Sequence, residues 1–190
     1  MSFHQIFSKI YKGAAQRMCL DCDEFINKGD RILDFGCGSG IIAKAFQQHF
    51  NSEVVGADIK DSRTTDIPFK LIKNNKIDFN DLNFDVILIS YVLHHTKDPE
   101  AILKEIRRMG KRIIVYEDLP EGFFTKIVCF FHEISYKLLF QRVDYRFSFK
   151  TEKEWRELFN KIGLRIVAFK KPKTKFDFLD PVKRVLFVLE

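Results

Sequence analysis

Residues 32–40, ILDFGCGSG, constrain this chain more than any other stretch. An apolar pair, Ile32 and Leu33, delivers an acid, Asp34, and then glycines at alternate positions, Gly36, Gly38 and Gly40. Ile41, Ile42, Ala45, Phe46, His49 and Phe50 follow near the spacing of one helix face. The order strand, glycine turn, helix commits this part of the chain to an α/β unit. Glycine accepts positive φ and carries no side chain, so a ligand can lie directly on the backbone. The helix N-terminus behind the turn presents unpaired N–H groups to it. The next run, VVGAD, ends in Asp58. A carboxylate at the tip of the second strand is the usual partner of a ribose hydroxyl in nucleoside-binding α/β folds.

A glycine turn alone is a weak signal, and its coincidence with the two acids gives it weight. The dinucleotide fingerprint needs a glycine where Ile41 stands, so a nicotinamide or flavin fits less well. The pattern resembles the nucleotide-binding motif of the Rossmann-like S-adenosylmethionine-dependent methyltransferases. Asp34 makes physical sense under that resemblance. A sulfonium cofactor with an ammonium group favours a nearby carboxylate, and a pyrophosphate does not.

Alternating strands and helices continue beyond the motif. The spacing predicts one or two helices over residues 3–27, broken near Gly13, then a turn at Lys28-Gly29-Asp30 into a strand at 31–35. A helix is expected over 40–50, strands at 53–58 and 69–72, and a polar connection at 59–67. Phe84 to Ser90 is nearly all apolar, as suits a central parallel strand buried on both faces. Asp98 and Pro99 then read as N-cap and first residue of a helix that ends at Gly110. A strand from Arg112 to Tyr116 closes in Glu117-Asp118. Thr151 and Glu154 form a capping box ahead of Trp155, Leu158, Phe159 and Ile162, with Gly163 as the stop. Strands at Arg165–Phe169 and Lys183–Leu189 complete the chain as a hairpin.

The resemblance extends over nearly the whole chain through FDVILISYVLHHTKDPEAILKEIRR and RIIVYED. It looks like a small methyltransferase of the broad group that modifies metabolites, lipids and quinones. It implies an α/β three-layer Rossmann-like sandwich whose seven-stranded, mostly parallel sheet has the order 3-2-1-4-5-7-6. It also implies one methyltransferase domain over 1–190, with a helical cover at 1–28 and a cap insertion at 120–149. On that resemblance the turn of Gly36, Cys37, Gly38 and Gly40 passes under the methionine moiety of the cofactor. Asp34 holds its ammonium, Asp58 the ribose hydroxyls, and Ile59 lies against adenine. Ser90, Tyr91 and Val92 face the sulfonium and the substrate. Many relatives carry an acid after strand three that contacts the adenine amino group. Here Lys73 and Asn74 stand there with Asn75 next, so Asn74, Asn75 or backbone groups take that contact.

Methyl transfer from a sulfonium is a direct displacement, and alignment does most of the work. A general base is needed only where the acceptor must lose a proton. His94 and His95, just past strand four, are the candidates, one facing the site and the other packing or capping the next helix. Tyr11, Phe123, Phe124, His132 and Tyr145 are candidate substrate contacts. The stretch 122–142 is apolar around most of a helical wheel, with Lys126, Glu133 and Lys137 on one narrow stripe. Such a helix must bury its surface against the domain core, a substrate, a dimer partner or a membrane surface; a substrate cap is the favoured reading. Its charges argue against a membrane span.

Composition bounds the rest. The chain has 190 residues with 46% hydrophobic and 31% charged, enough for one full α/β core. Its 21 phenylalanines exceed ordinary usage and fit either core packing or an apolar site. The +6 charge includes a cluster at Lys170, Lys171, Lys173 and Lys175, which reads as a solvated loop or an anion-facing patch. Cys19 and Cys22 form a C-x-x-C without a second pair, so they read as packing and no metal site is expected. The first residues do not resemble a signal peptide, and a cytoplasmic enzyme is the expectation.

No Asn/Asp-Pro-Pro-Tyr follows strand four, no Pro-Cys nucleophile is present, and no acidic pair suits a catechol-type magnesium site. Those absences favour a small or lipid-like acceptor over nucleic acid, with peripheral membrane contact left open. Two other readings stay beside it: a non-catalytic S-adenosylmethionine-binding partner subunit, and an RNA-modifying enzyme.

Overall fold

β1 (Arg31–Phe35) is buried from Ile32 to Phe35 and is paired in parallel on both sides. One neighbour is β2 (Glu53–Asp58) and the other is β4 (Phe84–Ser90). Asp34 therefore lies opposite Gly56 on one side and Leu88 on the other. The computed structural model describes residues 3–73 (side chains from Tyr11 onward), 77–120, 149–172 and 183–190. The proposed cap at 120–149, with Phe123, Phe124, His132 and Tyr145, lies outside the described residues except at its ends. So do Asn74, Asn75, Lys173 and Lys175.

The remaining strands are β3 (Phe69–Leu71), β5 (Gly110–Leu119), β6 (Ile166–Lys170) and β7 (Lys183–Leu189). The helices are α1 (Phe3–Cys22), α2 (Ile41–Phe50), α3 (Pro99–Arg107) and α4 (Glu152–Lys161), with a 3₁₀ turn at Leu93–His95. The sheet is mixed and seven-stranded in the order β3-β2-β1-β4-β5-β7-β6, as the resemblance implies. β2 pairs β3 in parallel, and β6 pairs β7 antiparallel as the expected terminal hairpin.

The chain divides into two units, Met1–Ser90 with Glu105–Ile113, and Tyr91–Lys104 with Ile114–Glu190. In the first, Ile32, Leu33, Val54, Ala57 and Val86 to Ile89 form the sheet's buried surface, and Ala43, Phe46 and Phe50 of α2 are buried with them. α1 packs on α2 and buries Ala15, Met18, Cys19 and Cys22. In the second unit, Trp155 and Phe159 of α4 stack at 5.8 Å, and Phe159 meets Phe187 of β7 edge-on at 5.1 Å.

Several boundaries differ from expectation for physical reasons. α1 runs unbroken through Gly13 to Cys22. A mid-helix glycine weakens a helix by only about 1 kcal/mol, and the packing against α2 outweighs it. α3 ends at Arg107, and Gly110 opens β5 instead of closing the helix. A Cβ at Gly110 would come within 2.6 Å of Ile87 Cγ1, so this glycine leaves room for the Ile87 side chain packed against it. The capping box forms as read: Thr151 Oγ1 accepts from the Glu154 N–H at 3.3 Å, and Glu154 Oε2 accepts from the Thr151 N–H at 2.7 Å. Asp98 Oδ1 accepts from the Ala101 N–H at 2.9 Å, as an N-cap should. No helix among the described residues is long and apolar enough to cross a membrane.

Candidate functional site

The glycine turn is fastened to β2 by its backbone. The N–H groups of Gly36 and Cys37 both donate to the Ala57 carbonyl, at 2.7 and 3.1 Å. Gly38 donates to Asp58 Oδ2 at 2.9 Å, and Ile59 donates to Asp58 Oδ1 at 2.7 Å. Asp58 is thus held by one N–H on each oxygen, leaving further lone pairs for a ligand's hydroxyls. Ile59, 46% exposed, presents an apolar face beside it. Gly38 has φ +50°, and a Cβ built there meets nothing within 4 Å among the described residues. The turn therefore opens onto space at Gly38, as a cradle for a ligand on the backbone requires.

Gly40 is the N-cap of α2 in the left-handed region, with φ 74°. Thr65 reaches across to it, donating its hydroxyl to the Gly40 carbonyl at 3.2 Å. The Thr64 N–H donates to the Ser39 carbonyl at 2.9 Å. Arg63 pairs with Asp61 at 2.7 Å, donates to the Ile67 carbonyl and stacks over Phe69 at 4.7 Å. The polar connection after β2 is thus a second wall of the turn, and sequence reading missed it. Its signal was there in the run of hydrogen-bonding residues Ser62 to Asp66, without a helical or strand period.

Asp34 lies behind the turn, fully buried, and neither of its carboxylate oxygens has a hydrogen-bond partner among the described residues. Burial, with the charge of Asp58 added, pushes its carboxyl up to about 7; the nearby Ala43 N–H eases that shift without satisfying either oxygen. An isolated buried carboxylate is costly unless a cation arrives to pair with it. The donor set of this unit therefore fits a ligand that has a cationic end, vicinal hydroxyls and a flat apolar ring. Those are the features of S-adenosylmethionine.

Cys37 is buried inside the turn. Its thiol is pushed up to about 12 by burial, reinforced by Asp34 and Asp58. Its sulfur packs against Gly56, where a Cβ would sit 2.8 Å away. Cys19 is likewise buried and pushed up to about 12, by burial and by Asp23. A groove of about 400 Å³ beside the turn lies between α1 and α2, lined by residues including Lys12, Gln16, Lys44 and His49. Lys44 is committed to Asp66 at 2.8 Å and His49 to Asp23 at 2.6 Å. Tyr11 is 52% exposed on α1 and does not line this groove.

Ser90 is buried at the end of β4, and Tyr91 and Val92 follow it in the chain. Tyr91 adopts φ +58°, a left-handed conformation rare for a bulky residue. It is held there by its N–H donating to the Tyr116 carbonyl at 2.9 Å, with the two rings 6.2 Å apart. Such strain gathers at functional turns.

In the second unit the two histidines occupy one 3₁₀ turn with ring centroids 4.0 Å apart. His94 is 2% exposed, and its Nδ1 lies 2.5 Å from Glu117 Oε2 of β5. The other oxygen, Oε1, accepts from the Leu93 N–H at 2.8 Å. Phe149 stacks on the His94 ring at 4.6 Å. His95 is half-buried, and capping of α3 falls to Asp98 rather than to either histidine. Glu117 was legible only as the acid that closes β5. Among the described residues no group of His, Cys, Asp and Glu is arranged to hold a metal ion.

Known proteins agree with this architecture. Residues 7–168 match the family model described as a methyltransferase domain. A methyltransferase of Schizosaccharomyces pombe, itself uncharacterised, is 31% identical over 107 residues, 46% of this chain and 38% of that protein. The ubiquinone/menaquinone biosynthesis C-methyltransferase of Xanthomonas campestris is 25% identical over 159 residues, 73% of this chain and 58% of that one. The chain thus spans well under two thirds of these relatives' lengths. Among solved structures, a SAM-dependent methyltransferase from Aquifex aeolicus shares the fold with a TM-score of 0.65 at 13% identity. That match covers 91% of this chain and 88% of the other.

Proposed function

The chain belongs to the methyltransferase-domain family, in its class I, S-adenosylmethionine-dependent form, and from that premise we propose that it methylates a small or lipophilic acceptor that gives up a proton. The observation that carries the methyl-donor half is Asp34, a buried carboxylate with both oxygens unpartnered behind an open glycine turn. Asp34 would take the ammonium of the cofactor, Asp58 its ribose hydroxyls, and Ile59 its adenine, with Gly36, Gly38 and Gly40 beneath the methionine chain. When bound, S-adenosylmethionine supplies an activated methyl group whose bond to sulfur breaks with the electron pair retained on sulfur.

The protein's own contribution is to bind, orient and manage one proton. His94 is the residue we assign to that proton. It stands four positions past the end of β4 and is backed by the carboxylate of Glu117. A base positioned in this way suits a hydroxyl or another acidic acceptor. The acceptor's lipophilic character is supported by the phenylalanine-rich sequence at 123–140 and by the quinone-modifying relative. We assign the whole of residues 1–190 to one methyltransferase domain working in the cytoplasm.

The test is transfer of labelled methyl from S-adenosylmethionine into a cell extract, separated into lipid, small-molecule, protein and RNA fractions. Label is expected in the lipid or small-molecule fraction. Label confined to RNA or protein would overturn the acceptor class. No label in any fraction, with S-adenosylhomocysteine still bound in calorimetry, would support a non-catalytic partner subunit instead.

A further inference from the structure

Resting on the assignment of His94 as proton acceptor, we infer that Glu117 is a positioning residue that keeps the His94 proton on Nδ1 and so makes Nε2 the basic nitrogen. The geometry leaves the carboxylate little choice. Oε1 is engaged by the Leu93 N–H at 2.8 Å, and that backbone group belongs to the residue just before His94. Oε2 then meets Nδ1 at 2.5 Å. Both side chains are buried, 2% and 0% exposed, so water does not compete for these bonds. Phe149 stacks nearly parallel to the ring, 16° between planes at 4.6 Å, and fixes its tilt.

A neutral imidazole carries one donor and one acceptor nitrogen. A carboxylate against Nδ1 makes that nitrogen the donor and leaves Nε2 as the acceptor. In the reaction an acceptor hydroxyl forms its new bond to the methyl carbon through oxygen. Its proton passes to His94 Nε2, and the imidazolium that results is balanced by the Glu117 carboxylate until the proton leaves to solvent. The same carboxylate thus sets the tautomer before the step and offsets the charge after it. An acceptor without a removable proton gains nothing from this arrangement, so the pair suits acceptors that give up a proton, a hydroxyl among them.

Glu117→Gln gives a specific prediction. The Leu93 N–H needs an oxygen, so the Gln carbonyl turns to it and the amide NH₂ faces His94 Nδ1. Nδ1 must then accept, and the ring proton moves to Nε2. The hydrogen bonds to the Leu93 N–H and to His94 Nδ1 are kept, while the base is blocked. Nitrogen-15 NMR of the imidazoles in the full chain reads the tautomer directly, with no acceptor present. The expected result is Nδ1–H in the native protein and Nε2–H in Glu117→Gln. Methyl transfer into the extract's lipid and small-molecule fractions should fall about 10²- to 10⁴-fold, with affinity for S-adenosylhomocysteine unchanged. A native ring protonated on Nε2, or undiminished transfer by Glu117→Gln while His94→Gln is inactive, overturns the positioning role alone. Undiminished transfer by His94→Gln overturns the base assignment itself, and the positioning role with it.

Discussion

Gly38 donates its N–H to Asp58 across 2.9 Å, so the floor of the glycine turn and the acid at the tip of β2 are one rigid piece. Glycine at 38 is favoured by its φ of +50°, and among the described residues its missing Cβ faces open space. Gly38→Arg puts a long side chain into that space. It should abolish S-adenosylhomocysteine binding in calorimetry while lowering stability by only about 1–2 kcal/mol, the strain of a left-handed residue. Gly38→Ala has the same strain and a short side chain, and should keep measurable binding. Equal binding by native protein and Gly38→Arg would remove this turn from the cofactor site.

Asp34 makes the free protein's stability depend on pH in an unusual direction. Its carboxyl is raised from 3.8 to about 7 by burial and the Asp58 charge, so the folded state holds a proton that the unfolded chain releases. That contribution is fully present below pH 4 and is lost as pH rises through about 7. The gap corresponds to about 4 kcal/mol at most. Asp34→Asn should flatten this slope and make the ligand-free protein more stable above pH 7, as read by urea unfolding across pH 5–8. Cofactor binding should run the other way. The cationic group pairs with the ionised form, so affinity for S-adenosylhomocysteine should fall about tenfold for each pH step below 7. A pH-independent affinity would detach Asp34 from the ammonium.

The His94–Glu117 pair is also a structural contact. Glu117→Ala leaves both the Leu93 N–H and the His94 ring without their buried acceptor. Each buried donor left without its acceptor costs about 1–3 kcal/mol, and denaturant unfolding should show a loss of a few times that unit. Glu117→Gln should lose far less, because its amide satisfies both neighbours.

Thr151→Ala tests a feature remote from the chemistry. It removes the hydroxyl that accepts from the Glu154 N–H at the start of α4. The expected loss is about 1 kcal/mol, with S-adenosylhomocysteine affinity unaltered.

The parts of the fold written in local patterns were legible in the sequence. β1, β2, β4 and β7 begin and end where their apolar runs and flanking turns put them. The caps at Asp98 and Thr151 could be read because each involves residues three apart. What was not legible depends on residues distant in the chain. Gly110 looks like a helix stop until Ile87 is seen against it. α1 looks breakable at Gly13 until its packing on α2 is known. Asp34 and Asp58 could be named from spacing, but the missing hydrogen bonds of Asp34 are a property of three-dimensional burial. Glu117 and His94 are separated by 23 positions, and no periodicity connects a turn after one strand with the far end of another.

Cys37 and Gly56 carry a consequence for how such a chain can diverge. The sulfur occupies the space a side chain at 56 would need, with 2.8 Å between Sγ and the absent Cβ. The two positions therefore constrain each other: a side chain at 56 would meet Sγ at 2.8 Å and Cβ of Cys37 at 3.1 Å, so position 56 cannot grow unless position 37 shrinks or shifts. Gly56 lies two residues before Asp58 on the same strand. Drift at either position would shift the acid relative to the turn, so descendants that keep this cofactor geometry should change the pair together or leave both alone.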